Sequence, residues 1–219
     1  MPLTARLTPR QIIWSKALLW AICLAPLLRL VVLGLNGGLG ANPIEFITRS
    51  TGTWTLVGLL ATLAVTPLRN LSGLNWLIRF RRLLGLFAFF YACLHFTTYL
   101  WLDQFFDPSS IARDIIKRPF ITVGFAAFIL LIPLAATSRQ HMMKKLGRNW
   151  QRLHRLVYVI AGLGIVHYWW LVKKDISQPL LYACVLAVLL VMRLPRLQHS
   201  LLARARDAAP RSCKPGCRE

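Results

Sequence analysis

Six apolar stretches, most of them long enough to cross a membrane, dominate this chain of 219 residues. Their approximate bounds are 16–35, 53–68, 83–102, 119–137, 155–172 and 177–194. A bilayer core needs ~20 helical residues (range ~17–25), so the second and sixth stretches are short. Hydrophobic residues make up 56% of the chain and charged residues 16%, whereas about 25% of a soluble domain is charged. The pattern predicts an all-α integral membrane protein, folded as a six-transmembrane-helix bundle.

Basic side chains are distributed unevenly between the two sides of this predicted bundle. With the N-terminus inside, 20 of the 27 Lys and Arg residues lie on the inner side and 6 on the outer side, while Arg29 lies within the first helix. Because cytoplasmic loops are enriched in Lys and Arg, we predict that both termini are cytoplasmic (N-in/C-in). The net charge of +20 is then a membrane-topology signal, and no nucleic-acid partner is expected.

Two histidines are predicted to lie at the same depth on different helices. His95 follows Arg82 by 13 residues in the third stretch, and His167 follows Arg155 by 12 residues in the fifth. An imidazole in hydrocarbon is costly without a partner, and a haem iron suits two facing imidazoles in an apolar bundle. We therefore predict a haem between helices three and five, on the outer side, with His95 and His167 as iron ligands. Interhelical hydrogen bonding is the alternative for each histidine alone.

His154 is a third candidate cofactor-binding residue, at the predicted inner boundary. It precedes His167 by 13 residues, or ~20 Å along an α-helix. Helix three has no histidine at that inner depth, so a second haem held by His154 would need an unusual sixth ligand or none. Contact with a quinone or a flavin, or a plain interfacial position among arginines, are the alternatives.

Several other residues have two interpretations each. Arg29 either extends to the interface or pairs with a haem propionate. Cys213 and Cys217 are either free thiols in a polar tail or a zinc or redox site. Small residues near the two histidines either let helices pack or make room for a porphyrin; these are Gly85, Ala92, Ala161, Gly162 and Gly164.

Five sequence blocks resemble the MsrQ family, formerly YedZ. They are Asn36–Pro43, Arg81–Asp103, Lys117–Phe120, Thr137–Tyr158 and His167–Lys173. The resemblance runs from about residue 7 to residue 195. We therefore expect residues 1–195 to form a six-helix transmembrane haem-binding domain and residues 196–219 a disordered, basic cytoplasmic tail.

The resemblance implies a bacterial inner-membrane subunit, related to the transmembrane part of ferric reductases and NADPH oxidases. Members carry b-type haem, and flavin mononucleotide has also been attributed to them. For this chain we expect one b-type haem, or two if His154 holds a second. They pass electrons from the quinol pool, or from a cytoplasmic flavin reductase, to a periplasmic molybdopterin-containing catalytic subunit. That subunit reduces methionine sulfoxide in envelope proteins. The family's histidines map onto His95, His154 and His167, and no residue is named for the flavin.

No catalytic residues are predicted, because the sequence has no nucleophile and base in a recognisable arrangement. We expect an electron-transfer subunit of an oxidoreductase complex, without a sulfoxide-reducing site of its own. One alternative is a small transporter or channel that uses His and Arg in a polar path. Another is a structural membrane anchor. The outer loops predicted at 36–52 and 103–118 are the expected docking surface for a partner.

Overall fold

The computed structural model of the chain describes residues 8–172 and 175–193, and these residues form helices and no strands. In chain order the α-helices are α1 (Pro9–Leu35), α2 (Pro43–Ser72), α3 (Ile78–Thr98), α4 (Pro108–Lys117), α5 (Pro119–Ala136), α6 (Gln140–Leu146), α7 (Arg148–His154), α8 (Leu156–Leu171) and α9 (Ser177–Val191). A 3₁₀ turn over Asn75–Leu77 precedes α3, and a π-helical turn over Tyr99–Asp103 follows it. The predicted tail, with Cys213 and Cys217, lies outside the described residues.

Each of the six apolar stretches forms a helix, which confirms the all-α membrane fold. Among the described residues, four helical segments are long and apolar enough to cross a bilayer: α1, α2, the continuous run Asn75–Asp103, and α5. Helices α8 and α9 have 16 and 15 residues, which corresponds to ~24 Å or less against a ~30 Å hydrocarbon core. Six crossings, and the N-in/C-in direction, therefore remain predictions.

Helix α2 is longer than the predicted stretch 53–68 because the polar groups of its first turns form hydrogen bonds with nearby residues of the same helix and its cap. The side chain of Asn42 caps the helix by accepting a hydrogen bond from the Glu45 N–H at 3.2 Å, and Pro43 occupies the first turn. The hydroxyl of Thr51 donates to the carbonyl of Ile47 at 2.9 Å. A prediction from hydropathy alone takes no account of these hydrogen bonds. The predicted outer loop 36–52 is therefore wrong, since only residues 36–42 precede the helix.

Three further helices lie in segments predicted as loops. Helix α4 occupies most of the second predicted docking segment, 103–118, while α6 and α7 lie between α5 and α8. The turn before α4 contains Phe105 and Phe106, which have positive φ angles of 48° and 57°. Left-handed backbone is unusual for bulky residues, and here it lies between the π-helical turn and α4. Because these helices are short or amphipathic, a search for long apolar stretches does not detect them.

The core lies where α2, α3, α5, α8 and α9 meet. It is apolar throughout and consists of Leu56, Leu59, Leu60, Leu63, Ala88, Ala92, Leu131, Leu134, Val157, Ile160, Ala161, Ile165 and Leu186. Helices α2 and α3 approach closely at Gly58, where an added Cβ would lie 3.0 Å from the Cβ of Ala88. Small residues at such contacts let membrane helices pack backbone against backbone. In contrast, α1 leaves large apolar side chains such as Trp14 and Leu28 exposed, as expected for a lipid-facing helix.

Arg193 satisfies a backbone carbonyl that a proline leaves without its helical donor. Pro67 has no N–H, so the carbonyl of Leu63, one turn earlier in α2, lacks its usual partner. The Nη2 of Arg193 donates to this carbonyl at 2.6 Å. The guanidinium also bonds the hydroxyl of Tyr158 and lies 5.2 Å from the centroid of its ring. This arginine therefore ties the end of α9 to α2 and α8.

Candidate cofactor site

A cavity of about 330 Å³ lies between α2, α3, α5 and α8. Its volume falls in the range of small-molecule and cofactor sites, ~300–1,000 Å³. Much of the wall is apolar and includes Leu59, Leu131 and Ile160. Two arginines, Arg49 and Arg118, also line it. The cavity can therefore hold a largely apolar ligand that carries a few negatively charged groups.

His95 from α3 and His167 from α8 both line this cavity, and their rings lie close together. Their ring centroids are 6.2 Å apart, with an angle of 75° between the ring planes. Two metal–nitrogen bonds of ~2.0 Å, plus about 1.2 Å from each nitrogen to its ring centre, span ~6.4 Å. The two rings are thus separated by the distance that a shared metal ion requires.

Backbone carbonyls fix the tautomer of both rings. The Nδ1 of His95 lies 2.9 Å from the carbonyl oxygen of Thr48, and the Nδ1 of His167 lies 2.7 Å from that of Phe120. A carbonyl only accepts hydrogen bonds, so each Nδ1 carries the proton and donates it. Each Nε2 is left with its lone pair, which is the form of neutral imidazole that ligates a metal.

A glycine one turn after each carbonyl makes room for the histidine ring. Gly52 follows Thr48 by four residues, and a Cβ added there would lie 3.0 Å from Cε1 of His95. Gly124 follows Phe120 by four residues, and a Cβ there would lie 2.7 Å from Nδ1 of His167. Both distances are shorter than normal contacts of a Cβ atom. The same glycine arrangement therefore lets each ring reach a helix backbone.

The structure separates the predicted small residues into two groups. Ala92 and Gly164 line the cavity. Ala161 is buried in the core, and Gly85 and Gly162 do not line the cavity. Sequence reasoning missed Gly52 and Gly124, together with the two carbonyl acceptors. A glycine that follows a polar or aromatic residue by one helical turn is the signal that could have drawn attention to them.

His154 lies apart from this pair and outside the cavity lining. It is stacked on Trp150, with ring centroids 4.1 Å apart, and its Nε2 lies 3.1 Å from the hydroxyl of Thr137. The indole of Trp150 donates to the Thr137 carbonyl at 3.0 Å. Burial lowers the pKa of His154, and the nearby charge of Arg81 lowers it further. The structure therefore brings two of the three predicted histidines together and leaves the third in a separate polar cluster.

The position of Arg29 and the arrangement of metal-ligating side chains both bear on the predicted haem site. Arg29 is exposed on α1 and does not line the cavity, whereas Arg49 and Arg118 do. Within residues 8–172 and 175–193, no three His, Cys, Asp or Glu side chains gather as a metal site.

Comparison with known proteins identifies the family. The family described as "Ferric reductase like transmembrane component" matches residues 51–165. A relative from Herminiimonas arsenicoxydans is 60% identical over 189 residues, which cover 85% of this chain and 87% of the relative. One from Ralstonia nicotianae is 58% identical over 194 residues, covering 87% and 89%. One from Bordetella pertussis is 57% identical over 194 residues, covering 88% and 92%.

Each of these relatives is named "Protein-methionine-sulfoxide reductase heme-binding subunit MsrQ". The matches extend over most of both chains and agree with the five blocks on which the resemblance was based. The chain therefore belongs to the MsrQ family, within the ferric reductase-like transmembrane components.

Proposed function

We propose that this chain is the haem-binding electron-transfer subunit of a protein-methionine-sulfoxide reductase system. The relatives' names support the class of function. The observation that carries the assignment of residues is the close pair His95 and His167, with centroids 6.2 Å apart. Both rings have a protonated Nδ1 held by a carbonyl and a free Nε2.

The residues around the cavity fit a haem and have distinct tasks. A b-type haem, when bound, supplies a one-electron carrier. His95 and His167 would hold the haem iron through their Nε2 atoms, and the carbonyls of Thr48 and Phe120 keep each imidazole neutral and oriented. The apolar wall excludes water from the bound group, which is one of the means by which proteins set redox potential.

Electron supply and delivery are the finer part of this proposal. We propose that the subunit receives electrons from quinol or a cytoplasmic flavin reductase. It passes them to a periplasmic molybdopterin-containing catalytic subunit, from a bacterial inner membrane with both termini cytoplasmic. A second haem at His154 is less well supported, because His154 already bonds Thr137 and stacks on Trp150. Flavin mononucleotide follows from the resemblance alone, and no described residue is assigned to it.

Substitution of each histidine tests the ligand assignment. We expect His95→Ala and His167→Ala to lose the reduced-minus-oxidised haem spectrum of the purified protein, while His141→Ala, an exposed histidine on α6, keeps it. His154→Ala should leave the haem-to-protein ratio unchanged if one haem is bound, and should lower it if His154 holds a second. Unchanged spectra in both His95→Ala and His167→Ala would reject the assigned ligands. A wild-type protein that remains colourless with ample haem would instead favour the transporter alternative.

A further inference from the structure

The cavity that contains the two histidines has a basic, polar end. Arg49 in α2 and Arg118 at the junction of α4 and α5 both line it, together with Tyr99 and Asp103. The hydroxyls of Thr48 and Thr98 lie 3.5 Å apart, so the residues that follow them, Arg49 and Tyr99, belong to neighbouring turns of the chain. Two arginines from separate parts of the chain therefore line the cavity that contains the histidine pair.

A phenol at this end has no hydrogen-bond partner. The hydroxyl of Tyr99 is buried and unpaired among the described residues. Leaving a buried polar group without a partner is destabilising, so such groups normally indicate a ligand or an ordered water. Because Tyr99 lines the cavity, a ligand with a hydrogen-bond acceptor at this end would satisfy it.

The protein's own carboxylates do not saturate the two arginines. Arg49 pairs with Glu45 at 2.7 Å, and both side chains are about half exposed. Arg118 lies 3.5 Å from Asp114, whose carboxylate also accepts from Gln104 at 2.9 Å. A guanidinium has five N–H donors, so each arginine keeps donors for a ligand in the cavity.

Among the described residues, two of the three charged side chains that line the cavity are arginines, while the carboxylates of Glu45 and Asp114 pair with these arginines outside the lining. Asp103 is the one carboxylate that lines the cavity among the described residues, and it already accepts from Gln104 at 3.3 Å. Against it stand two guanidinium groups and the unpaired phenol. Arginine binds carboxylates in a bidentate manner that adds geometric specificity. The geometry thus suits a ligand with an apolar body and carboxylates at one edge.

We propose that Arg49, Arg118 and the hydroxyl of Tyr99 bind the propionate carboxylates of the haem held by His95 and His167. This inference rests on the proposed function. It orients the macrocycle, with the carboxylate edge at the basic end and the apolar edge against Leu59, Leu131 and Ile160.

The test compares haem with its dimethyl ester, in which both carboxylates are blocked. The full chain is produced in haem-deficient cells, placed in lipid nanodiscs and titrated with each ligand. Hydrogen bonds to charged groups are stronger than neutral ones, and exposure weakens them. We therefore expect Arg49→Gln and Arg118→Gln each to weaken haem binding about 3–30-fold and to leave ester binding unchanged. Tyr99→Phe should show a smaller loss that also affects the ester, because an ester carbonyl still accepts a hydrogen bond from the phenol.

A matched control and the wild-type chain keep the inference falsifiable. Arg113 is exposed on α4 and bonds the Ser109 carbonyl at 3.2 Å, so Arg113→Gln should bind both ligands like the wild type. The inference is overturned if wild-type protein binds haem and the ester equally, or if the arginine variants weaken both ligands to the same extent. If the wild-type chain binds neither ligand, the proposed function itself fails.

Discussion

The substitution Gly124→Ala tests whether haem binding requires the close contact between the His167 ring and the backbone of α5. The added Cβ would lie 2.7 Å from Nδ1 and 2.8 Å from Cε1 of His167, whereas ordinary contacts begin at 3.4 Å. The ring must therefore retreat by about 0.7 Å. If the ring moves along the hydrogen bond, the distance between Nδ1 of His167 and the Phe120 carbonyl oxygen, now 2.7 Å, exceeds the ~3.2 Å limit of a good hydrogen bond.

Loss of that carbonyl contact should weaken haem binding. Removal of the group that orients a metal-bound histidine typically lowers metal affinity ~10–100-fold, and we expect that loss in Gly124→Ala. Gly52→Ala requires a shift of only about 0.4 Å, since its Cβ would lie 3.0 Å from His95, so its loss should be smaller. Gly162→Ala on α8 meets nothing within 4 Å and serves as the control.

Haem content per folded protein and the haem midpoint potential are the quantities to measure. Size-exclusion chromatography in detergent selects the folded fraction before haem is counted by its pyridine complex. The expected order of haem loss is Gly124→Ala, then Gly52→Ala, then Gly162→Ala. If Gly124→Ala retains haem and potential like Gly162→Ala, the carbonyl does not orient His167 and the argument is refuted.

Two further predictions concern the polar contacts away from the cavity. Arg193→Gln should destabilise the protein by ~1–3 kcal/mol in thermal or denaturant unfolding, because the Leu63 carbonyl loses its donor. Adding Pro67→Ala, which restores a backbone N–H, should recover part of that loss; no coupling between the two sites would contradict it. The lowered pKa of His154 means that the unfolded chain binds its proton more readily than the folded chain. Stability should therefore fall as the pH drops below about 6.5, and His154→Asn should flatten this dependence between pH 7.5 and 5.5.

Segment length and charge predicted the helices and the pairing of His95 with His167, since depth along a helix can be counted in residues. Rotation about the helix axis decides which backbone each ring touches, and one sequence does not fix that rotation. The acceptor carbonyls of Thr48 and Phe120 were therefore missed.

Local hydrogen bonds also explain why the observed bounds of α2 differ from the predicted ones. The hydroxyl of Thr51 and the cap at Asn42 stabilise a polar first part of α2, which hydropathy scores as a loop. Amphipathic α4 was missed for a related reason, since its apolar residues are interspersed with polar ones. Arg118, at its end, was counted only as a charge on the outer side and not as part of the cavity.

The bond between Arg193 and the Leu63 carbonyl has a consequence for biogenesis. The two residues are 130 positions apart, and ribosomes add ~5–20 residues per second. The Leu63 carbonyl, which Pro67 leaves without a helical donor, therefore has no Arg193 partner until that residue is synthesised, roughly 6–26 s later. During that interval the Leu63 carbonyl has neither a helical donor nor the guanidinium of Arg193. Docking of the end of α9 is thus also the step that completes the hydrogen bonding of α2.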